Sequence, residues 1–431
     1  MTSTIVHNAK RSELHFALWR RRSEFQCKIG VWLLLILFSP SSWLSARQGG
    51  QQAGAKPEHA TSSQGTKPET LSFEEIARQA AEARERDRIA EAISLYQRGV
   101  HLRPTWSEGW WYLGTLLYEA DRYGEARSAF RRLVSIRPEG GAAWALQGLC
   151  EFQLSDYERS LHDLQRGRIL GLGDNKELIR VTRYHAALLM TRFEQFEGAL
   201  QILYSMAREE GDSPVLREAL GIAILCLPLL PSEVPREKQE VVRQAGKAAY
   251  YEAIWLTPDA RREFEDLVKR FPNTPNVHYS LGAFLVKIDV QAAMKEFHRE
   301  LEISPSNVRA RLQFAFEYLK EGKSEAGLPY AEKSRQLAPG SYAARNALGR
   351  ILLELGQKER ALKELEEAVR LGPDIPECHY ALMLAYKRVG RMQDAEREGA
   401  EFVRLKKLQQ ELLHPLKKGT SEIRADERPP L

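Results

Sequence analysis

The side chains best suited to chemistry are few and scattered. Cys27, Cys150, Cys226 and Cys378 are too far apart for a C-x-x-C redox or zinc pair. The last three fall in helical patterns and read as small core residues, neither nucleophiles nor a disulfide. Ten histidines are dispersed along the chain. His185, His278 and His379 each stand beside a tyrosine near the start of a helix, equivalent places that point to repeated architecture and not to a metal site. No glycine-rich phosphate loop, H-E-x-x-H or G-x-S-x-G motif occurs. The sequence therefore offers no catalytic residue, no metal ligand set and no cofactor site. Arg131-Arg132 and Arg261-Arg262 are isolated pairs, the second flanked by Glu263 and Asp266, and read as solvated helix faces with no nucleic-acid partner. Recognition by a shaped surface is the function class that remains.

The elements that would shape such a surface repeat. Pro104 and Pro138 lie 34 residues apart, as do Ala92 and Ala126, and Tyr96 and Phe130. Pro305, Pro339 and Pro373 keep the same step. A period of this length with these residue types marks a helix–turn–helix unit that buries its apolar face by stacking on copies of itself. Residues 342–375 show the physics. Ala347, Leu348, Ile351 and Leu352 form the apolar stripe of a first helix. Gly349 gives up its side chain so that a second helix can approach. Gly356 ends the first helix in a left-handed conformation that costs glycine little. Ala361, Leu365 and Ala368 form the inner face of the second helix, and Pro373 ends it.

Ten units begin near Phe73, Ser107, Gly141, Arg180, Pro214, Val241, Thr274, Val308, Tyr342 and Pro376. The unit from Gly141 lacks its final proline and has a long turn, Gly171 to Asn175. The unit from Thr274 is one residue short near Ile288. The largest departure is Leu225 to Pro235, where Pro228, Pro231 and Pro235 forbid a continuous helix. The fifth unit thus has a first helix and no recognisable second one. The leucines of this insertion either plug a gap in the stack or form an exposed docking loop.

This array resembles the tetratricopeptide repeat (TPR) family. In residues 107–140 the family pattern appears as Trp110, Leu113, Gly114, Ala126, Phe130 and Pro138. The resemblance covers residues 71–413 and implies an all-α, right-handed superhelical solenoid of about ten repeats. It implies a concave groove lined by first helices, with partner-facing residues Trp111, Tyr118, Phe152, Tyr184, Tyr279, Phe316, Asn346, Arg350 and Tyr380. Aromatic anchors suit protein or peptide partners. The charged clamp that some members use for a terminal carboxylate is incomplete, since Ala77, Trp111 and Tyr380 occupy its polar places. The family shares a shape and not a reaction. A non-enzymatic scaffold for protein–protein contacts is the leading expectation. A glycan-related role that uses the rings to stack sugars is the alternative.

Residues 1–46 read as an export signal or an N-terminal membrane anchor. Arg20, Arg21, Arg22 and Lys28 precede the apolar run Ile29 to Phe38, and Ile29 to Ala46 carries no charge. Either reading puts the bulk of the chain outside the cytoplasm, periplasmic or held at the inner membrane, and an uncleaved segment 29–46 would itself contact the membrane. Residues 47–70 read as a disordered linker and 414–431 as a disordered tail. Of the formal net charge of +5, four units belong to residues 1–46; the rest holds 57 basic and 56 acidic residues. A near-neutral array gives little attraction for an acidic polymer.

Overall fold

The computed structural model describes residues 71–413, with side chains to residue 410. The expectations for 1–46, 47–70 and 414–431 lie outside the described residues. Within them no strand occurs, and no helix is long and apolar enough to cross a membrane.

Nineteen α-helices follow one another among the described residues. Four complete pairs come first: α1 (Phe73–Glu85) with α2 (Ile89–Leu102), α3 (Ser107–Glu119) with α4 (Tyr123–Ile136), α5 (Gly141–Gln153) with α6 (Tyr157–Leu170), and α7 (Lys176–Arg192) with α8 (Phe196–Glu210). Then α9 (Pro214–Ile224) stands alone before α10 (Gln239–Ala253) and α11 (Thr257–Arg270). Four more pairs complete the stack: α12 (Val277–Leu285) with α13 (Val290–Ile303), α14 (Val308–Lys320) with α15 (Ser324–Leu337), α16 (Tyr342–Glu354) with α17 (Lys358–Leu371), and α18 (Pro376–Arg388) with α19 (Met392–Leu413). Ten first helices and nine second helices make an all-α solenoid. The fourth unit begins at Lys176, four residues before the sequence places it, because Asn175 caps that helix by accepting from the Leu178 amide.

The turn inside each unit is closed by one device. A residue in the left-handed region ends the first helix, and the next amide donates to a carbonyl five residues back. Gly356 (φ 74°) with Gln357 N to Leu352 O at 2.9 Å is one case. Cys226 (φ 50°) with Leu227 N to Ile222 O at 3.0 Å is another. So α9 terminates as a first helix does, although no second helix follows. The seventh unit departs: α12 is short, and Asp289 N returns to Leu285 O, which is the missing residue near Ile288.

Where α9 lacks its partner, α10 takes the place. A β-carbon on Gly221 would strike the Val242 carbonyl, and one on Gly246 would strike the Arg217 carbonyl. In complete units the same glycine faces a second-helix side chain instead, as Gly114 faces Phe130 and Gly349 faces Leu365. α10 then serves as first helix to α11, with Gln244 and Lys247 both on Glu263 at 3.0 and 2.8 Å. The insertion fills the remaining gap. Leu225, Cys226, Leu230 and Val234 are buried in the central core, and Leu227 and Leu229 pack against it. Arg192 pins it by donating to the Pro228 carbonyl at 2.8 Å.

Successive units are joined by a recurring hydrogen bond. The carbonyl of the proline that ends one unit has no helical acceptor role left, and a side chain six residues on donates to it. Trp110 reaches Pro104 and Trp144 reaches Pro138, both at 2.9 Å; Arg345 reaches Pro339, and His278 and His379 reach Pro272 and Pro373, all at 3.0 Å. Arg311 reaches Pro305 at 2.5 Å. The other nitrogen of His278 meets Glu296 at 2.6 Å, and that of His379 meets Glu398 at 2.7 Å. Two of the three histidines singled out above are therefore joints between units, held at both ring nitrogens.

Candidate functional site

The first helices supply a surface whose exposed edge carries rings. On α3, Trp111 and Tyr118 are half-buried; Trp111 lies 6.3 Å from Phe130 and Tyr118 lies 5.3 Å, edge-on, from Tyr123. Burial, with Cys150 and Asp121 adding, holds the Tyr118 hydroxyl above the ordinary phenol range. Glu108 and Glu119 share that edge of α3 and are exposed. Partial desolvation and then Asp87 raise the Glu119 carboxyl above its usual range.

On α5, Phe152 is half-buried and sits 4.6 Å, edge-on, from His185 of α7, so it spans the joint between two units. Tyr184, also half-buried, lies 5.7 Å from the same imidazole. At the other end, Arg350 of α16 is exposed and stands 5.7 Å from the Phe316 ring of α14. Tyr380 of α18 is 45% exposed and rests 5.3 Å from Phe402 of α19. Partial burial lowers the Arg350 pKa, and Tyr380 opposes that shift. Phe316, Arg350 and Tyr380, from three consecutive first helices, thus form one cluster.

Two expected surface residues are not on the surface. Tyr279 is 7% exposed and packs 5.9 Å from Phe297. It belongs to the central core, with Arg309 and Gln313 of α14 beside it; Arg309 in turn meets Glu194, in the turn between α7 and α8, at 3.1 Å. Asn346 is 5% exposed, and its Oδ1 has no hydrogen-bond partner. The 34-residue period gives the side of the helix but not how far the solenoid winds back upon itself, so neither burial was readable.

Other features escaped the sequence reading. Trp255 is 75% exposed at the turn between α10 and α11, under Arg208 at 4.7 Å. It holds a left-handed position (φ 60°) where other units have Asp, Ser, Glu, Cys or Gly, and it is the one aromatic ring among them. Leu384 and Val403 leave apolar area at the last unit, 37% and 64% exposed. A cleft of about 490 Å³, lined by Gln97, His101, Trp110, Glu125 and Arg132, lies among α2, α3 and α4. Among the described residues no group of acidic, histidine or cysteine side chains could hold a metal ion.

The sequence matches the tetratricopeptide repeat family over residues 318–385 and, in overlapping stretches, over 78–141 and 113–168. Residues 169–317, which contain the unpartnered α9 and the insertion, lie between the matches. No curated protein matches the sequence. Among solved structures the chain is similar to a MamA RS-1 ArsTM double mutant, at 20% identity over 39% of this chain and 96% of that one, with a TM-score of 0.35. It is also similar to MamA, residue 41 to the end, from Desulfovibrio magneticus RS-1, at 23% identity over 37% of this chain and 96% of that one, with a TM-score of 0.32.

Proposed function

Because this chain is a tetratricopeptide repeat protein, and so a scaffold for protein–protein contacts, we propose that it holds protein partners against its first-helix face, without chemistry of its own, in the bacterial cell envelope. The observation that carries the reading is the row of partly exposed rings, Trp111, Tyr118 and Phe152 at one end and Phe316 and Tyr380 at the other. Large, stiff rings bury much area for little lost rotamer freedom, which favours them as anchors for a peptide or helix.

Two points support a role without catalysis. Burial raises the thiols of Cys150, Cys226 and Cys378 to about 12, so each is almost wholly protonated at neutral pH and a poor nucleophile. His278 and His379 are occupied at both nitrogens by structural partners. The envelope location rests on the basic flank and apolar run of residues 1–46.

The test is a pull-down from envelope extracts with the wild-type chain, Trp111→Ala and Phe316→Ala. The expected result is loss of specific partners in at least one variant. If both retain every specific partner, the first-helix face is not the binding surface. N-terminal sequencing from the native host tests the location: a chain that starts near Arg47 means cleavage, and an intact apolar run means an anchor or a retained start.

A further inference from the structure

The first-helix face is not open along its whole length. The turn after α7 reaches the start of α14, four units later. There Arg309 Nη2 lies 3.1 Å from Glu194 Oε2, and its guanidinium sits 4.4 Å from the centre of the Phe196 ring. Phe196 is 1% exposed and packed in the central core. The charged pair stays within reach of water, with side chains 31% and 62% exposed. Glu194 has φ 59°, a left-handed position that a glutamate seldom takes.

Near Arg309 lie Cys226, at the start of the insertion, and Tyr279 of α12, both buried. Arg309 is among the charges around both, with Glu197. Burial dominates the raised pKa of the Cys226 thiol; Arg309 opposes it, and Glu197, Glu300 and Glu194 add to it. Burial also raises the Tyr279 hydroxyl, with Cys226 and Glu197 adding and Arg309 and a Gln313 hydrogen bond opposing. A second return contact, of α19 against α6 and α8, brings the last unit to the same third and fourth units.

We propose that the Glu194–Arg309 contact is a clasp that closes the solenoid over Cys226 and Tyr279, and that its release opens this stretch of the first-helix face to solvent. The clasp needs no particular partner and stands apart from the scaffold reading. Glu194 sits on a turn and Arg309 at a helix start, so the two parts separate without breaking a helix. The pair is partly exposed, so salt weakens it, while the ring of Phe196 holds the guanidinium in place when the pair is made.

Cys226 is the reporter, and Cys378, buried in α18 with Glu377 and Asp374 as its charged neighbours, is the internal control. Full-length wild type, Arg309→Ala, Glu194→Ala and the exchanged pair Glu194→Arg/Arg309→Glu are treated with a maleimide and mapped by mass spectrometry. Loss of an exposed ion pair and a cation–π contact predicts about tenfold faster modification of Cys226 in each single variant. Cys378 should be unchanged, and the exchanged pair should restore slow modification. Wild-type Cys226 should react faster in 1 M than in 0.1 M salt, and Arg309→Ala should not respond. Wild-type rates at Cys226 in both single variants overturn the clasp. So does an equal acceleration at Cys378, which would mean general loosening.

Discussion

The most demanding prediction concerns two carboxyls buried between α5 and α6. Glu151 is 3% exposed and Asp163 is 5% exposed. Gln147 donates to Asp163 at 2.5 Å and His162 meets its other oxygen at 2.7 Å, while Glu151 Oε2 has no partner. Burial first, then the nearby Asp163 and Asp156, push the Glu151 carboxyl from 4.5 up to about 7; Arg127 of α4 opposes them weakly. A carboxyl that binds its proton more tightly when folded stabilises the fold below its unfolded pKa, and this contribution is lost as pH rises through the folded pKa. The window is therefore pH 4.5 to 7, and the full difference is about 3 kcal/mol as an upper figure. Glu151→Gln removes the titration and keeps the shape. At pH 5 the variant should differ from the wild type by less than about 1 kcal/mol. At pH 8.5 it should be more stable by about 1–3 kcal/mol, because the wild type then holds a charged Glu151 in the core beside Asp163. Hydrogen exchange of α5 and α6 amides from pH 5 to 9, corrected for intrinsic rates, reads this locally, as suits a solenoid whose units open separately. Asp163→Asn should narrow the same profile, because after burial Asp163 does most to raise the Glu151 carboxyl. Parallel pH profiles for wild type and Glu151→Gln would refute the reasoning.

Trp144→Phe keeps an aromatic ring and deletes the donor to the Pro138 carbonyl; it should cost about 0.5–1.5 kcal/mol, read by urea denaturation, with protection lost first at the junction of α4 and α5. Gly221→Val sets a side chain against the Val242 carbonyl, which as backbone cannot yield. It should cost about 3 kcal/mol or more by the same assay, whereas Gly124→Ala, with nothing within 4 Å of its β-carbon, should be neutral or stabilise by up to about 1 kcal/mol.

What the sequence reveals here follows from the range of each interaction. Glycine, alanine and proline at 34-residue steps act within a unit, and the helix pairs, their turns and the odd fifth unit follow from them. The three prolines of the insertion locate the break. They do not tell whether Leu225 and Leu230 turn inward, which depends on a gap that exists only once α10 has moved onto Gly221. The joints between units are hidden for another reason. Trp110, Arg311, Arg345 and His379 do one job with three chemistries, so no single residue type repeats, although the spacing to the preceding proline does.

The candidate surface divides along the same line. Trp111, Tyr118 and Phe152 lie where their spacing puts them, because their neighbours are adjacent units. Tyr279 has the same spacing and lies in the central core, beside Arg309, whose own partner Glu194 is 115 residues away. That closure has a local origin. A complete fifth unit would insert a second helix between α9 and α10, moving every later unit away from the first four. Its absence lets α10 lie directly on α9 at two glycines, and α14 comes within reach of the turn after α7. The insertion that removes one helix thus decides which rings of the array remain available to a partner.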